Sequence, residues 1–283
     1  MEVVYESSSG KRYNLVGNVM RATSGGFHNY KWNPKTKERE FGDRLYGFTK
    51  ESATYDMTLT LRGGLDERKK NLNELHDSFE HDIITKTPGT IYYGDYYIEA
   101  YIISSDTGVS DEVVYRSECQ VGIYCEYPFW RKKIKNVYGG VTNQIINTEG
   151  LDYPYDYVFD FTNSVYNQKI VVPGEIPASF QMIIYGGCEN PTISIGDLTY
   201  SVNISLLTGE YLVIDTIKKK IKKYKNNGEE VNAFNERDRD SDFFKKIPAG
   251  THSVAWSGGF GFDIILIIER SEPEWILSTQ TKT

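Results

Sequence analysis

Apolar and polar positions alternate with period two along most of this chain. Tyr55, Met57, Leu59 and Leu61 interleave with Thr54, Asp56, Thr58 and Thr60, and Ile98, Ala100 and Ile102 with Tyr97, Glu99 and Tyr101. The sharpest run sets Leu198, Tyr200, Val202, Ile204 and Leu206 against Thr199, Ser201, Asn203 and Ser205. Successive side chains on a strand point to opposite faces, so these runs predict antiparallel sheets with one buried and one wet face. Another strand starts at Cys119, with Cys119, Val121, Ile123 and Cys125 inward. Pro128 stops it, having no N–H for a ladder. Phe129 and Trp130 follow, then Arg131, Lys132 and Lys133. A strand ending in a proline–aromatic hinge near mid-chain predicts a domain boundary.

Turn chemistry separates the strands. Gly196-Asp197, Thr208-Gly209 and Asn227-Gly228 each predict a hairpin, because Gly and Asn accept the positive φ of tight turns. One segment predicts a helix, about Leu65 to Ile83, with Leu72, Leu75, Phe79 and Ile83 on one face and Asp66 and Glu67 near its start. Gly63-Gly64 precedes it and Pro88-Gly89 follows. The stretch from Gly25 to Gly47 fits neither period. It is rich in Lys, Arg, Gly and aromatics (Phe27, Tyr30, Trp32, Phe41, Tyr46), and reads as a surface loop or long hairpin, or as an arm that orders against a neighbouring subunit.

At 283 residues, the length suits two domains, each able to bury a core without disulfide or metal. The 22 tyrosines fit strands and interfaces, where one ring joins apolar area to a polar tip. A net charge of −7 argues against a surface built to grip nucleic acid. Three cysteines make no disulfide framework and fit a reducing cytoplasm. The N-terminus lacks the basic start and apolar core of a signal peptide. The longest apolar run, Ile264 to Ile268 between Asp263 and Glu269, is too short to span a bilayer and predicts a buried strand.

Candidate chemistry is sparse. His76 and His81 are five apart on the predicted helix and do not form the i, i+4 zinc pair. Cys119 and Cys125 lie about 20 Å apart by strand rise and read as buried thiols. Asp238-Arg239-Asp240-Ser241-Asp242 matches the start of a calcium loop, but Phe243 stands where glycine is needed and Ala249 where a bidentate Glu is needed, so a solvated acidic loop is the default. The basic run Lys218 to Lys225 either attracts phosphate or forms a charged hairpin offset by Glu229 and Glu230; the hairpin is favoured. There is no nucleophile elbow, phosphate loop or dinucleotide fingerprint. No cofactor or metal is expected, and no catalytic residue is assigned.

The order and spacing of these elements resemble the distal tail (Dit) proteins of long-tailed, non-contractile bacteriophages. The resemblance rests on the strand Thr54 to Leu61, Arg62-Gly63-Gly64 and the helix, then Pro88-Gly89, the strands Tyr92–Ile103 and Val113–Glu126, and Tyr127-Pro128-Phe129-Trp130. Toward the C-terminus it rests on Ile247-Pro248-Ala249-Gly250, Val254, Trp256-Ser257-Gly258, the strand Phe262–Ile268 and Glu269-Arg270. It implies a mainly β chain: an N-terminal β-sandwich with one packed helix over residues 1–134, which closes into a hexameric ring, and a C-terminal galectin-like or jelly-roll β-sandwich over 135–283. It further implies a non-enzymatic virion protein at the tail tip, made in the host cytoplasm. The ring would join the tail tube protein to a tip protein and the adhesion device. Phe27, Tyr30, Trp32 and Phe41 are the expected subunit-interface anchors, since aromatics dominate interface energetics. The alternative is a carbohydrate-binding module touching the host surface through its second domain. Trp256 with Ser257, or Tyr153 and Tyr155, are the candidate saccharide contacts, against the simpler expectation that Trp256 packs in a core. Receptor-binding proteins are further candidate partners. A third alternative, an enzyme acting on cell-wall polymer, needs two carboxylates that the sequence does not locate.

Overall fold

The computed structural model describes residues 2–108, 116–139 and 168–274. The chain forms two compact units, one of Met1–Lys132 joined by residues from Glu269 onward, the other of Lys133–Ile268. The expected division at 134/135 has the chain change unit once; here it crosses at Lys132/Lys133 and returns after Ile268.

The first unit contains β1 (Val3–Glu6), β2 (Arg12–Asn14), β3 (Met20–Gly25), β4 (Asn33–Glu38), β5 (Asp43–Thr49), β6 (Ala53–Arg62), α1 (Leu65–Ile84), β7 (Gly89–Tyr93), β8 (Tyr96–Gly108), β9 (Arg116–Cys125) and the start of β10 (Trp130–Tyr138). One sheet runs β10-β8-β7-β1-β2, and another β3-β6-β9-β8. The long β8 serves both. Its register shifts between Ile102 and Ser104, and such a bulge bends a strand enough to pass from one sheet to the next. The predicted inward residues are buried: Tyr55, Met57, Leu59 and Leu61 on β6, Ile98, Ala100 and Ile102 on β8, and all four on β9. The expected strand from Tyr92 is interrupted at Gly94, whose φ of +59° turns β7 into β8.

α1 closes this core. Leu75 and Phe79 are buried, but Ile83 is 44% exposed; its place at the core is taken by the fully buried Asp82. That carboxylate accepts hydrogen bonds from Tyr5 Oη (2.6 Å), Ser7 Oγ (2.7 Å), Ser8 N (2.8 Å) and Ser8 Oγ (2.7 Å). A buried carboxylate is tolerated because its oxygens are satisfied this fully. Burial and the Asp82 hydrogen bond together push the Tyr5 phenol upward.

The second unit continues β10 and adds β11 (Gln168–Val172), β12 (Ser179–Tyr185), β13 (Cys188–Glu189), β14 (Thr192–Ile195), β15 (Leu198–Ser201), β16 (Ser205–Leu206), β17 (Tyr211–Asp215), β18 (Lys220–Tyr224), β19 (Glu230–Asn232), β20 (Gly250–Trp256) and β21 (Phe262–Arg270). The sheet β19-β18-β17-β12-β21 faces the sheet β11-β20-β14-β15, and their inner faces fill one core that includes Phe180, Tyr200, Leu212, Val254 and Phe262. This is a β-sandwich. The predicted turns hold, with positive φ at Gly196, Gly209 and Gly228. The single strand expected over 198–206 does not form. Tyr200, Val202 and Leu206 are buried as the alternation requires, but β15 stays with β14, Val202 bridges Arg237, and β16 pairs with β13. Alternation records which side chains go inward and is blind to a change of sheet.

Candidate assembly surface

The segment 25–47 is mostly a hairpin. β4 and β5 pair from Asn33↔Thr49 to Glu38↔Asp43, with a register shift between Lys35 and Thr36. The tip turns at Arg39–Gly42, where the Arg39 N–H donates to the Gly42 carbonyl at 3.0 Å and Gly42 takes φ +68°. Among the described residues β4 pairs only with β5, so this ribbon is a separate two-stranded sheet. Its strands have no buried face, which removes the alternation that marks half-buried strands and explains why the sequence left a long hairpin and a surface loop as equal readings.

Three of the four expected anchors are surface residues of this ribbon or its root. Phe41 at the tip is 88% exposed; Tyr30 and Trp32 at the root are also exposed. Phe27 is a correction. It is 4% exposed and packs edge-on against Tyr93 and Trp130, so it belongs to the core and offers no area to a neighbour. Leu45 and Phe48 add exposed apolar area that the sequence did not single out. A ribbon this rich in exposed apolar side chains is expected to be covered in use.

The root is fastened by aromatic contacts. Trp32 packs edge-on against Phe129, and its indole N–H donates to Ser271 Oγ at 3.2 Å. Phe129 packs on Tyr127 with ring centroids 4.9 Å apart. The Tyr127 hydroxyl donates to Glu269 Oε2 at 3.1 Å, and Arg131 lies over the Tyr127 ring and pairs with Glu99 and Glu269. Burial and the neighbouring Glu269 push the Tyr127 phenol up to about 12. The Tyr127-Pro128-Phe129-Trp130 hinge thus anchors the ribbon's root.

One expected saccharide contact, Trp256, is a core residue. Trp256 is 6% exposed, packs against Tyr138 and Phe262, and donates its indole N–H to the Phe260 carbonyl at 3.1 Å. A sugar platform needs an open ring face, which this tryptophan lacks. Ser257 is exposed beside it, and Tyr153 and Tyr155 lie outside the described residues. The basic run is a charged hairpin. Lys222 pairs with Glu230, Lys223 with Glu210 at 2.6 Å, and Lys225 with Glu229 at 3.1 Å. In the acidic loop Asp242 accepts the Thr199 N–H at 3.0 Å and pairs with Lys245; Lys245 first, then that N–H, hold its carboxyl below the usual range. Among the described residues no group of three His, Cys, Asp or Glu side chains gathers as metal ligands.

No sequence-family profile matches the chain, and no curated protein matches it. Solved structures do. The Dit protein of phage SPP1, described as a paradigm of the hub of adsorption apparatus in phages that infect Gram-positive bacteria, superposes with a TM-score of 0.63 at 8% identity over 95% of this chain and 98% of its own. A chain of the phage p2 baseplate in its activated conformation superposes with a TM-score of 0.64, at 10% identity with calcium and 11% with strontium, over 96% of this chain and 99% of its own. This chain has the fold of these phage hub and baseplate proteins.

Proposed function

We propose that the protein is a structural component of a phage tail, a distal hub that assembles with itself into a hexameric ring between tail tube and baseplate. The observation that carries this is the extent of the fold likeness, 95–96% of this chain against 98–99% of each neighbour, so both sandwiches are matched together and in order. The exposed ribbon supports it from the side of physics. A ring needs contacts between different patches on successive subunits, and an extended arm lengthens such a contact. Tyr30, Trp32 and Phe41 are its aromatic anchors. The tail tube protein and a tip protein are the partners above and below the ring, and the protein works by shape rather than by turnover.

Immunogold labelling of tailed particles carrying this protein tests the reading. Label confined to the distal tip of the tail supports it. Label on the capsid or along the tube contradicts it.

A further inference from the structure

At the root of the ribbon an amine is sealed with nothing to bond. Lys50 directly follows β5, and its Nζ is shut off from solvent with no hydrogen-bond partner among the described residues. Three rings surround it: Nζ lies 4.2 Å from the centroid of Phe129, 5.5 Å from that of Trp32 and 6.0 Å from that of Tyr30. Aromatic faces attract a cation, but they offer no strong acceptor for its three N–H donors. Burial holds the group at about 8 instead of 10.5. A charge kept under these conditions is relieved by an anion.

Beside it opens a cleft of about 340 Å³, lined by Tyr30, Lys31, Lys50, Glu51, Tyr55 and Pro128 among others. Its charged lining residues are two lysines and one glutamate, so it favours an anionic guest. The complementary group sits at the other end of the same ribbon. There Glu40 directly precedes Phe41, both exposed, in a tip whose other carboxylates, Glu38 and Asp43, are offset by Lys37, Arg39 and Arg44, so that Glu40 is the carboxylate beside the exposed ring. Because β4 and β5 stay paired out to Glu38 and Asp43, the tip is held about one strand length, roughly 17–20 Å, from the cleft at its root. A subunit therefore cannot place its own tip in its own cleft.

We propose that the Lys50 cleft is a carboxylate-binding site occupied by the ribbon tip of a second copy of the chain, Glu40 pairing with Lys50 while Phe41 lies against Tyr30 and Pro128. The inference rests on the reading that the protein assembles with itself, and names the contact. Tip and cleft are different patches, so the contact is head-to-tail and closes into a ring when repeated about an axis. The lysine's flexible four-carbon stem lets Nζ swing from beneath the rings to meet the carboxylate.

A zero-length carbodiimide crosslink tests this on the unmodified protein, using a mixture of ¹⁴N- and ¹⁵N-labelled copies. An isopeptide bond between Lys50 and Glu40, found by mass spectrometry in peptides of mixed isotope, is expected in the assembled fraction. Lys50→Arg should still assemble and lose that crosslink. Glu40→Gln, which alters only an exposed tip, should weaken self-association at least tenfold. Assembled protein that shows no Lys50–Glu40 bond, or Glu40→Gln with unchanged association, overturns the site and leaves self-assembly standing. A chain that stays monomeric at every concentration overturns both.

Discussion

The Tyr5 hydroxyl donates to the Asp82 carboxylate at 2.6 Å, joining β1 to α1 across 77 positions of sequence in a buried setting. Removing Asp82 leaves that hydroxyl and the Ser7 and Ser8 donors without their acceptor. Asp82→Ala should therefore lower stability by roughly 3 kcal/mol, and Tyr5→Phe by about 1 kcal/mol, because the phenylalanine strands only one carboxylate lone pair. Urea unfolding measures both. Equal small losses would contradict a network centred on the carboxylate.

Gly89 belongs to the same arrangement. A Cβ there would lie 2.5 Å from Asp82 Oδ2 and 2.6 Å from a Tyr5 ring carbon. Gly89→Ala should cost about 1–3 kcal/mol by overpacking, and less in an Asp82→Ala background, which removes the carboxylate clash and leaves the Tyr5 ring room to shift. Gly186 in the second unit is tighter still, since a Cβ would sit 1.9 Å from the Leu207 carbonyl oxygen. Gly186→Ala should cost roughly 3 kcal/mol, because backbone cannot swing aside as a side-chain terminus can. Thermal unfolding of the two variants checks both values.

Stability should fall in alkali. Burial, as the largest cause, pushes the Tyr55, Tyr127 and Tyr138 phenols up to about 12. Unfolded tyrosine loses its proton near pH 10. Above that pH the unfolded chain holds fewer protons than the folded one, so the tyrosine contribution is whole below pH 10 and lost as pH climbs toward 12. Lys50 acts in the opposite sense. Its folded value lies near 8, below the usual 10.5, so the unfolded chain holds the extra proton between those values and stability gains with pH there. Lys50→Met should remove the gain between pH 8 and 10 and spare the later loss. A variant whose pH profile overlays the parent's would contradict the burial of this amine.

Much of this was legible in the sequence, and the gaps have physical causes. The inward residues of β6, β8 and β9 follow directly from alternation, since each has one dry and one wet face. α1 was legible from Leu75 and Phe79, but Asp82 was not. A carboxylate reads as a surface residue, and the donors that bury it come from a segment distant in sequence. Phe27 was misplaced because it shares an aperiodic stretch with the ribbon, and nothing local separates a ring that turns into the core from one that turns out. Lys50 was hidden in the same way as Asp82. Its cage is made by Tyr30, Trp32 and Phe129; the sequence marked the first two as interface anchors and the last in the proline–aromatic hinge, but nothing local shows that the three meet over one amine.

Phe41 separates folding from assembly. Its side chain is 88% exposed, so Phe41→Ala should leave the monomer's unfolding free energy within about 0.5 kcal/mol. The same change should weaken self-association at least tenfold, about 1.4 kcal/mol, as loss of an aromatic anchor does. Unfolding and sedimentation on the same sample report the two effects. Loss of stability without loss of association would reverse the assignment of this residue.

In the proposed assembly the two sandwiches and the ribbon serve a ring of identical subunits. Native mass spectrometry of the purified protein over a range of concentrations addresses it most directly. A discrete species at six times the mass of one chain is the predicted result. A single-chain mass throughout, or an open-ended ladder of masses with no closed species, would contradict it.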